Sequence, residues 1–339
     1  MQHDDPRALV IGSLAVVDGL GLDAIAALCI DGTHAPGALN DAERVQLAAA
    51  GASNDPWVTL NYPEWLHARL VEAFGDTLEG EMRALNERAP LDLRVNALKA
   101  TRDDVLRELG EAGIEAVVLA DTSHGLRIAA GADAKVTALE GYREGRFEVQ
   151  DEASQRSVAL ASVRPGEMVI DLAAGAGGKA LALAADMANN GRVIVCDIEG
   201  MRLKQSEPRI VRAGATIVEA GGDPYAAGVV LGADAVFIDA PCSGSGTWRR
   251  NPEARWTLDS ARLETYRAAQ TQLLDRACEL VRPGGRIVYA VCSVLPSERS
   301  EQIDGFIRRH PDWRIDATLD VTPARDRTDG FFAARLVSG

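Results

Sequence analysis

From about Val149 to the end of the chain, short apolar runs alternate with longer segments whose apolar residues recur three and four positions apart. Short apolar runs between glycine, proline and aspartate predict buried strands, and the three-to-four spacing predicts helices. The predicted strands are EMVIDLAA, GRVIVCDI, GATIVEA, ADAVFIDAP and GGRIVYAVCS, and the predicted helices are GGKALALAADMA, MRLKQSEPRIVRAG, LETYRAAQTQLLDRACELV and EQIDGFIRRHP. This alternation predicts a Rossmann-like, doubly wound α/β fold with a parallel sheet.

The part of the chain before Val149 has a different pattern. Residues 1–56 are rich in alanine and acids and have helical periodicity, so they predict a short helical N-terminal segment. Residues 57–148 begin with helical periodicity and then contain the predicted strands LDLRVNAL, IEAVVLA and GLRIAA and the helix TRDDVLRELGEAG, with Thr101 as its N-cap. We therefore predict three parts: a helical segment (1–56), a small α/β module (57–148) and the doubly wound domain (149–339).

Composition narrows the class of protein. The chain has 339 residues, of which 47% are hydrophobic, and its net charge of −14 argues against broad adhesion to nucleic acid, although it allows a local basic groove. The N-terminal sequence carries acids where a signal peptide needs positive charge, and no apolar run is long enough to span a membrane, so a cytoplasmic location is expected. The five cysteines are scattered, and the chain contains no C-x-x-C or H-E-x-x-H motif. We therefore expect neither a disulfide framework nor a metal site.

A glycine-rich turn follows the first strand of the doubly wound part. In VIDLAAGAGGKALALAA, Gly175, Gly177 and Gly178 stand between a predicted strand and a predicted helix, where a ligand can approach the backbone. Asp197 ends the next strand, at a distance where an acid typically binds ribose hydroxyls. Such a turn suits a dinucleotide or S-adenosylmethionine, and a glycine turn needed only for packing remains the alternative. The spacing departs from the full G-x-G-x-x-G of dinucleotide-binding proteins.

Two cysteines follow predicted strands. Cys242 lies in IDAPCSGSG and Cys292 in IVYAVCSVLPSE, and Asp239 precedes the first of them. Because carboxyl ends of parallel strands share one edge of a sheet, we expect both thiols to open into the same crevice. Free cysteines are usually small buried hydrophobic residues. That interpretation suits the cysteines in apolar stretches, Cys29, Cys196 and Cys278, but the polar, turn-forming surroundings of the other two argue against it.

Six motifs together resemble a known family. They are PLDLRVNALKATRDD, FEVQDEASQ, VIDLAAGAGGKALALAA, DAPCSGSGTWRRNPEARW, VCSVLPSE and TDGFFAARL, in this order between Trp57 and the C-terminus. They resemble the Sun-type (NOP/SUN) RNA cytosine-5 methyltransferases, most of all the bacterial ribosomal RNA small subunit methyltransferase B group. Residues 1–55 resemble at most the end of the helical NusB-like domain that many bacterial members carry.

The resemblance implies an activity and its chemistry. A methyl group would pass from S-adenosylmethionine to carbon 5 of a cytosine, after a thiolate adds to carbon 6 and activates the ring. It implies Cys292 as the nucleophile, Cys242 as the residue that assists product release, and Asp239 as the carboxylate at the base edge. DNA cytosine-5 methyltransferases use their Pro-Cys cysteine as the nucleophile, so the opposite assignment is the alternative.

The resemblance also implies a cofactor pocket. The implied cofactor-binding residues are Ala173, Ala174, Gly175, Ala176, Gly177, Gly178, Lys179, Asp197, Asp223 and Asp239. Lys179 stands at a helix start, where it could equally be a solvated first-turn lysine, and Asp223 in AGGDPYAAG could be a turn residue. No metal is expected in this chemistry.

RNA contacts are predicted in TWRRNPEARW, where arginines are interleaved with aromatic residues that can stack on unpaired bases. The predicted RNA-binding residues are Trp248, Arg249, Arg250, Arg255 and, in the RVN sequence of the small module, Arg94. The alternative is that the tryptophans lie in the core and that the arginines pair with acids. The implied substrate is small-subunit (16S) ribosomal RNA, possibly in a pre-ribosomal particle, with the target base flipped or single-stranded and the protein a monomer.

Several positions depart from the family pattern. Val291 stands where a threonine usually precedes the cysteine, and Glu298 is followed by Arg299 and Ser300 in place of asparagine and glutamate. Ala176 and Ala180 replace a usual proline and threonine. Because every reacting group is present, activity is expected. The altered loop leaves one alternative from another class, a catalytically weak RNA-binding ribosome assembly factor that retains the fold.

Overall fold

A computed structural model describes residues 6–16, 18–31, 37–49, 54–129, 134–226 and 231–338. The chain forms two compact units, Met1–Asn86 and Glu87–Gly339. The three-part division drawn from the sequence stays a prediction. Within the described ranges, the structure contains no helix with both the length and the hydropathy of a membrane span.

The first unit is helical. Its helices are α1 (Pro6–Val16), α2 (Leu22–Leu28), α3 (Asp41–Ala49), α4 (Pro56–Thr59), α5 (His67–Phe74) and α6 (Leu78–Asn86). Leu66, Leu70 and Phe74 recur every four residues and are buried, which is the pattern of an amphipathic helix with one face in a core. Cys29 lies in a second apolar cluster with Ile11 and Ile25, as its apolar surroundings predict.

The second unit begins with a small α/β layer. Its elements are β1 (Asp92–Val95), α7 (Arg102–Glu111), β2 (Ala116–Val118), β3 (Gly125–Ile128), α8 (Glu140–Arg143) and β4 (Phe147–Val149). The strands form an antiparallel sheet in the order β2-β3-β1-β4. Thr101 caps α7 as predicted: its hydroxyl accepts a hydrogen bond from the Asp104 amide, and the Asp104 side chain bonds back to Thr101.

A seven-stranded sheet forms the rest of this unit. Its strands are β5 (Met168–Asp171), β6 (Arg192–Cys196), β7 (Val218–Gly222), β8 (Ala233–Asp239), β9 (Val281–Val291), β10 (Trp313–Val321) and β11 (Phe331–Ser338), in the order β10-β11-β9-β8-β5-β6-β7. The five strands from β5 to β9 are parallel, which confirms the predicted α/β fold. β10 and β11 form an antiparallel edge that was not predicted.

Helices cover both faces of this sheet. They are α9 (Glu152–Ala159), α10 (Gly178–Asp186), α11 (Gly200–Ala213), α12 (Ala254–Thr257), α13 (Ser260–Leu280), α14 (Ser300–Arg309) and α15 (Pro323–Asp326). Alternate residues of a strand point to opposite faces, so Val169 and Ile170 of β5 enter two separate cores. Burial on both faces explains why these strands are continuous apolar runs.

Asn96 connects the small layer to the large sheet. Its buried amide donates hydrogen bonds to the carbonyl oxygens of Gly145 and Ala213, each at 2.8 Å. Nearby, the Glu148 carboxylate accepts a hydrogen bond from Arg209 at 3.0 Å and another from Arg212. These contacts fix the four-stranded sheet against α11, so the asparagine of the RVN sequence has a structural role in this unit.

Candidate active site

The two predicted thiols meet at the carboxyl edge of the large sheet. β8 and β9 are parallel neighbours with Asp239 opposite Ala290. Cys242 lies three residues beyond β8 and Cys292 directly follows β9. Their Sγ atoms are 3.5 Å apart, and both residues are partly buried. The strand order thus converts two positions fifty residues apart in sequence into a single dithiol site.

The electrostatic environment distinguishes the two thiols. The hydrogen bond to Cys292, reinforced by burial and by the negative charges of Cys292 and Glu298, raises the pKa of Cys242 well above its ordinary value. Cys242 therefore keeps its proton while the neighbouring sulfur can accept it in a hydrogen bond. Cys196 and Cys278 lie in or against the apolar core, where burial raises their pKa values to about 11 and about 12. Cys196 is buried as predicted, whereas Cys278 is only partly buried.

A lysine and a carboxylate form an ion pair at the same edge. Lys179, the second residue of α10, places its Nζ 2.5 Å from Oδ2 of Asp239. Burial acts to lower the pKa of Lys179, but the charge and hydrogen bond of Asp239 outweigh it and raise that pKa. The Cys292 sulfur adds to this effect, so the ammonium group lies close enough to interact with the thiol pair. Lys179 is thus no solvated first-turn lysine.

The glycine turn has a backbone that requires glycine. Gly177 has φ of 79°, in the left-handed region, and immediately precedes α10. Asp197 holds the loop from the next strand, since its carboxylate accepts hydrogen bonds from the Gly175 amide at 2.9 Å and the Glu199 amide at 2.8 Å. The loop from Ala173 to Lys179 therefore runs along the carboxyl ends of the strands and ends at a helix N-terminus.

Asp223 is a further polar residue at the carboxyl ends of the strands. It follows β7, is exposed, and accepts a hydrogen bond from the Tyr225 amide at 2.8 Å. Acids after β6 and β7 beside a glycine loop after β5 suit an adenosyl ligand: carboxylates can accept from ribose hydroxyls, and helix N-terminal amides can bind a carboxylate. In the described parts of the chain, no group of three or more His, Cys, Asp or Glu side chains could hold a metal ion.

Asp171 is a further site residue that the sequence analysis missed. It ends β5, is fully buried, and lies close enough to feel the charges of Asp239 and Lys179. Burial, with a smaller contribution from Asp239, raises the pKa of Asp171 to about 7. An acid at the end of an otherwise apolar strand, directly before a glycine loop, is the signal that could have identified it.

Three of the predicted RNA contacts are corrected by burial. Trp248 and Arg255 are 0% and 1% exposed, and the guanidinium lies 5.2 Å from the Trp248 ring centroid in a cation–π contact. Arg94 is enclosed within β1, where burial lowers its pKa to about 10. Surrounding residues enclose all three side chains, which argues against the predicted direct contact with RNA. The exposed aromatic residue of this segment is Trp256, which is 57% exposed.

The neighbouring arginines pair with acids. Nε of Arg249 lies 2.7 Å from Asp329, and Arg250 bonds both Asp329, at 2.5 Å, and Asp151, at 2.9 Å. Arg249 is almost entirely buried, whereas Arg250 keeps about a third of its side chain exposed. The alternative of arginine–acid pairing is confirmed for both residues, and the ion pairs join three of the quoted motifs in one cluster.

Two glycines bring the loops of the site into backbone contact. The Gly246 amide donates to the Cys292 carbonyl at 3.0 Å, and the Gly330 amide donates to the Gly246 carbonyl at 2.9 Å. A Cβ atom at Gly246 would lie 1.8 Å from the Gly330 carbonyl oxygen, so only glycine fits there. The SGSG and TDG sequences therefore shape the loop that presents Cys292.

The fold and the site define a class of protein. A doubly wound sheet with a glycine loop, acids after the next two strands and reactive groups across the switch in strand order is the architecture of nucleotide-cofactor enzymes. The thiol pair and the lysine–aspartate pair lie at this same edge of the sheet.

Comparison with known proteins identifies the family. Residues 158–337 match the family described as "16S rRNA methyltransferase RsmB/F", and residues 62–135 match the ferredoxin-like domain of RsmF/B-like methyltransferases. The chain therefore belongs to the RsmB/F family of 16S rRNA methyltransferases, as the six motifs predicted.

Individual relatives agree with this assignment. The chain is 33% identical to ribosomal RNA small subunit methyltransferase B of Pectobacterium atrosepticum over 81% of its own length and 66%, slightly under two thirds, of that protein. It is 33% identical to the protein of the same name from Erwinia tasmaniensis, covering 89% of this chain and 72% of that one. The crystal structure of PH0851 superposes with a TM-score of 0.78 at 32% identity, covering 88% of this chain and 72% of the other.

Proposed function

We propose that this protein transfers a methyl group from S-adenosylmethionine to carbon 5 of a cytosine in RNA, through a covalent cysteine adduct. The substrate is small-subunit (16S) ribosomal RNA. The observation that carries the proposal is the 3.5 Å separation of the Cys242 and Cys292 sulfur atoms beside the Lys179–Asp239 pair. Membership of the RsmB/F family supports methyl transfer to ribosomal RNA.

Cys292 begins the reaction. Its sulfur, as the thiolate, adds to carbon 6 of the cytosine and forms a carbon–sulfur bond. The electron pair of the ring double bond then moves to carbon 5 and the ring nitrogen. The Lys179 ammonium stabilises this negative charge, and Asp239 holds the ammonium protonated and in place.

S-adenosylmethionine, when bound, would supply an electrophilic methyl group to carbon 5 and be left as a neutral thioether. Carbon 5 would afterwards give up its proton to water in the crevice. The electron pair from that carbon–hydrogen bond restores the ring double bond and expels Cys292 as a thiolate. One methyl group thus replaces one proton, and the enzyme returns to its starting state.

Cys242 assists the release step. It remains a thiol because the hydrogen bond to Cys292, burial and nearby negative charge raise its pKa. A protonated Cys242 can donate a hydrogen bond to the leaving sulfur and stabilise the departing thiolate. The opposite assignment would require the thiol with the raised pKa to act as the nucleophile.

The residues from Ala173 to Lys179, together with Asp197 and Asp223, hold the cofactor. Helix N-terminal amides of α10 would bind the carboxylate of its methionine part, and the two acids would accept hydrogen bonds from the ribose. RNA reaches the site with the target base unstacked, and Trp256 offers an exposed ring for stacking. A cytoplasmic monomer that acts on free RNA or on a pre-ribosomal particle is part of this proposal.

Single-cysteine variants test the proposal. Purified protein is incubated with 16S RNA transcript and methyl-labelled S-adenosylmethionine, and both label transfer and RNA–protein adducts are measured on denaturing gels. Cys242→Ala is expected to accumulate the adduct, and Cys292→Ala to lose adduct and methylation together. Cys278→Ala, in α13 and away from the site, is the matched control and should behave as the wild type. Adduct with Cys292→Ala but none with Cys242→Ala would reverse the two roles.

The same assay addresses the assembly-factor alternative. Wild-type protein that binds the transcript but transfers no label, either to free RNA or to small-subunit particles, would favour an RNA-binding protein without catalysis. The close approach of the two thiols argues against that outcome, because the departures at Val291, Arg299 and Ser300 leave the pair assembled.

A further inference from the structure

A buried carboxylate lies between the two loops that carry the thiols. Glu298 is fully buried and ends a 3-10 helix, Pro296–Glu298, six residues after Cys292. Its backbone is fixed as well, because the Tyr289 hydroxyl donates a hydrogen bond to the Glu298 carbonyl at 2.7 Å. Burial of a carboxylate is unfavourable unless hydrogen bonds compensate for the lost hydration, so the stability of this arrangement depends on the partners of Glu298.

The Glu298 carboxylate is hydrogen-bonded on both oxygens. Oε1 accepts from the Ser243 amide at 2.8 Å and from Nε2 of Gln270 at 3.1 Å. Oε2 accepts from the hydroxyl of Ser293 at 2.6 Å and from the hydroxyl of Ser243. These four donors are uncharged N–H and O–H groups, and together they satisfy both carboxylate oxygens.

Two of the residues that donate to the Glu298 carboxylate are direct sequence neighbours of the thiols. Ser243 directly follows Cys242, and Ser293 directly follows Cys292. One side chain therefore binds the residue next to each thiol, across fifty residues of sequence. Ser245 strengthens the connection, since its Oγ lies 3.0 Å from the Ser293 hydroxyl and accepts a hydrogen bond from the Val294 amide at 3.0 Å.

We propose that Glu298 is the positioning residue that holds the Cys242 and Cys292 loops in register, so that their sulfur atoms stay within contact distance. This inference rests on the proposed function and adds a residue that touches neither the cofactor pocket nor the base. Without the carboxylate, its four hydrogen-bond donors lose their common acceptor and the two loops move independently. A displacement of about 1 Å at reacting atoms typically lowers the rate about 100-fold.

The neighbouring substitutions in the sequence are compatible with this role. Arg299 turns away from the carboxylate: its guanidinium pairs with Asp320 and also donates to the Val294 carbonyl at 3.3 Å. The departure from the family pattern at position 299 therefore leaves the Glu298 contacts in place.

Two variants of Glu298, one conservative and one disruptive, distinguish a positioning role from a contribution to overall stability. In Glu298→Gln, the amide oxygen can accept from the Ser243 amide and Gln270, and the amide nitrogen can donate to the two hydroxyls, which rotate to accept. In Glu298→Ala all these bonds are lost. Glu301→Ala, an exposed acid on α14, is the matched control.

The first measurement is methyl transfer. We expect Glu298→Ala to lower kcat about 100-fold, while the KM for RNA and the Kd for S-adenosylmethionine stay within about twofold. Glu298→Gln should recover most of the activity, and Glu301→Ala should match the wild type. Equal loss in Glu298→Ala and Glu298→Gln, or a parallel loss of cofactor binding, would contradict a positioning role.

The second measurement needs neither RNA nor methylation. Phenylarsine oxide bridges two thiols that lie side by side, with two sulfur–arsenic bonds formed, one water released and no change in oxidation state. Wild type and Glu298→Gln should bind one equivalent rapidly, Cys292→Ala should not, and Glu298→Ala should react at least about tenfold more slowly. An unchanged rate in folded Glu298→Ala overturns the inference even if methylation by the wild type is never detected.

Ser293→Ala covers the case in which Glu298→Ala fails to fold. It removes one donor to Oε2 and leaves the carboxylate with its partners on the other loop. An intermediate loss of both kcat and arsenical capture, at unchanged cofactor affinity, is expected. Wild-type behaviour of this variant in both assays would count against the proposal.

Discussion

Nζ of Lys179 lies 2.5 Å from Oδ2 of Asp239, so an ammonium group that is 13% exposed has a carboxylate as its main source of stabilisation. Burial alone would lower the pKa of Lys179, and the pairing raises it. We predict that Asp239→Asn and Lys179→Met each lower kcat about 100- to 1000-fold, because each removes charge stabilisation next to the reacting ring. Steady-state methyl transfer measures this effect.

The control for that pair is Lys135→Met, which replaces an exposed lysine outside the sheet edge. It should leave kcat unchanged. Activity of Lys179→Met within a few-fold of the wild type would show that the ion pair serves folding and has no part in the reaction.

The strand positions could be predicted because each strand from β5 to β9 is buried on both faces, which leaves a continuous apolar run in the sequence. The same logic placed Cys242 and Cys292 at one edge, since both follow such runs and parallel strands end together. β10 was missed although WRIDATLDV alternates apolar and polar residues, the period-2 pattern of a strand with one exposed face. The strands of the large sheet were predicted from continuous apolar runs, and β10 contains no such run. β11 pairs with it and completes an antiparallel edge.

The burial of side chains in TWRRNPEARW could not be predicted locally. Arginine and tryptophan next to each other suit both an RNA surface and a packed core, and distant residues decide between the two. Asp329 and Asp151, 80 and about 100 residues away, bind Arg249 and Arg250. The contacts of Glu298 could not be predicted from its motif, because Ser243 and Gln270 lie on other elements.

Exposure distinguishes the two tryptophans of this segment. Trp256→Ala is expected to weaken RNA binding by about 1–3 kcal/mol, the usual contribution of one stacked base, with little effect on unfolding. Trp248→Ala is expected to lower the free energy of unfolding by about 3–5 kcal/mol, because it empties a core position. Filter binding and urea unfolding of both variants check the prediction. Trp256→Phe keeps a stacking ring and should therefore retain most of the affinity for RNA. Unchanged RNA binding by Trp256→Ala would show that Trp256 does not contact RNA.

Because the backbone packs closely around Gly246, the addition of one methyl group there is expected to lower both stability and activity. Gly246→Ala places Cβ 1.8 Å from the Gly330 carbonyl oxygen, so the loops must separate, at a cost of about 1–3 kcal/mol in unfolding free energy. The Cys292 carbonyl loses its donor in the process, so activity should fall as well. Gly110→Ala is the matched control, since Gly110 lies within α7 with open space around it, and it should stabilise by about 0.5–1 kcal/mol. A Gly246→Ala protein that melts with the wild type would contradict the predicted contact.

Asp171 predicts a pH dependence of stability with a definite sign. Its pKa is raised from 3.8 to about 7 in the folded protein, so between these values the folded state holds a proton that the unfolded state has released. Stability from this group is therefore greatest at low pH and falls as the pH rises from about 4 to about 7, by about 4 kcal/mol at most. Asp171→Asn cannot ionise and should show none of this loss.

The test is the difference in unfolding free energy between Asp171→Asn and wild type, measured in urea without cofactor at pH 5, 6.5 and 8. Taking the difference cancels the titration of the other groups. It should grow in favour of the variant as the pH rises and level off above about pH 7. The exposed acid Asp312 gives the matched control, and Asp312→Asn should show a difference that is flat with pH. A difference that moves in favour of the wild type at high pH would mean that Asp171 is charged and stabilising in the fold, with Lys179 as the nearby cation.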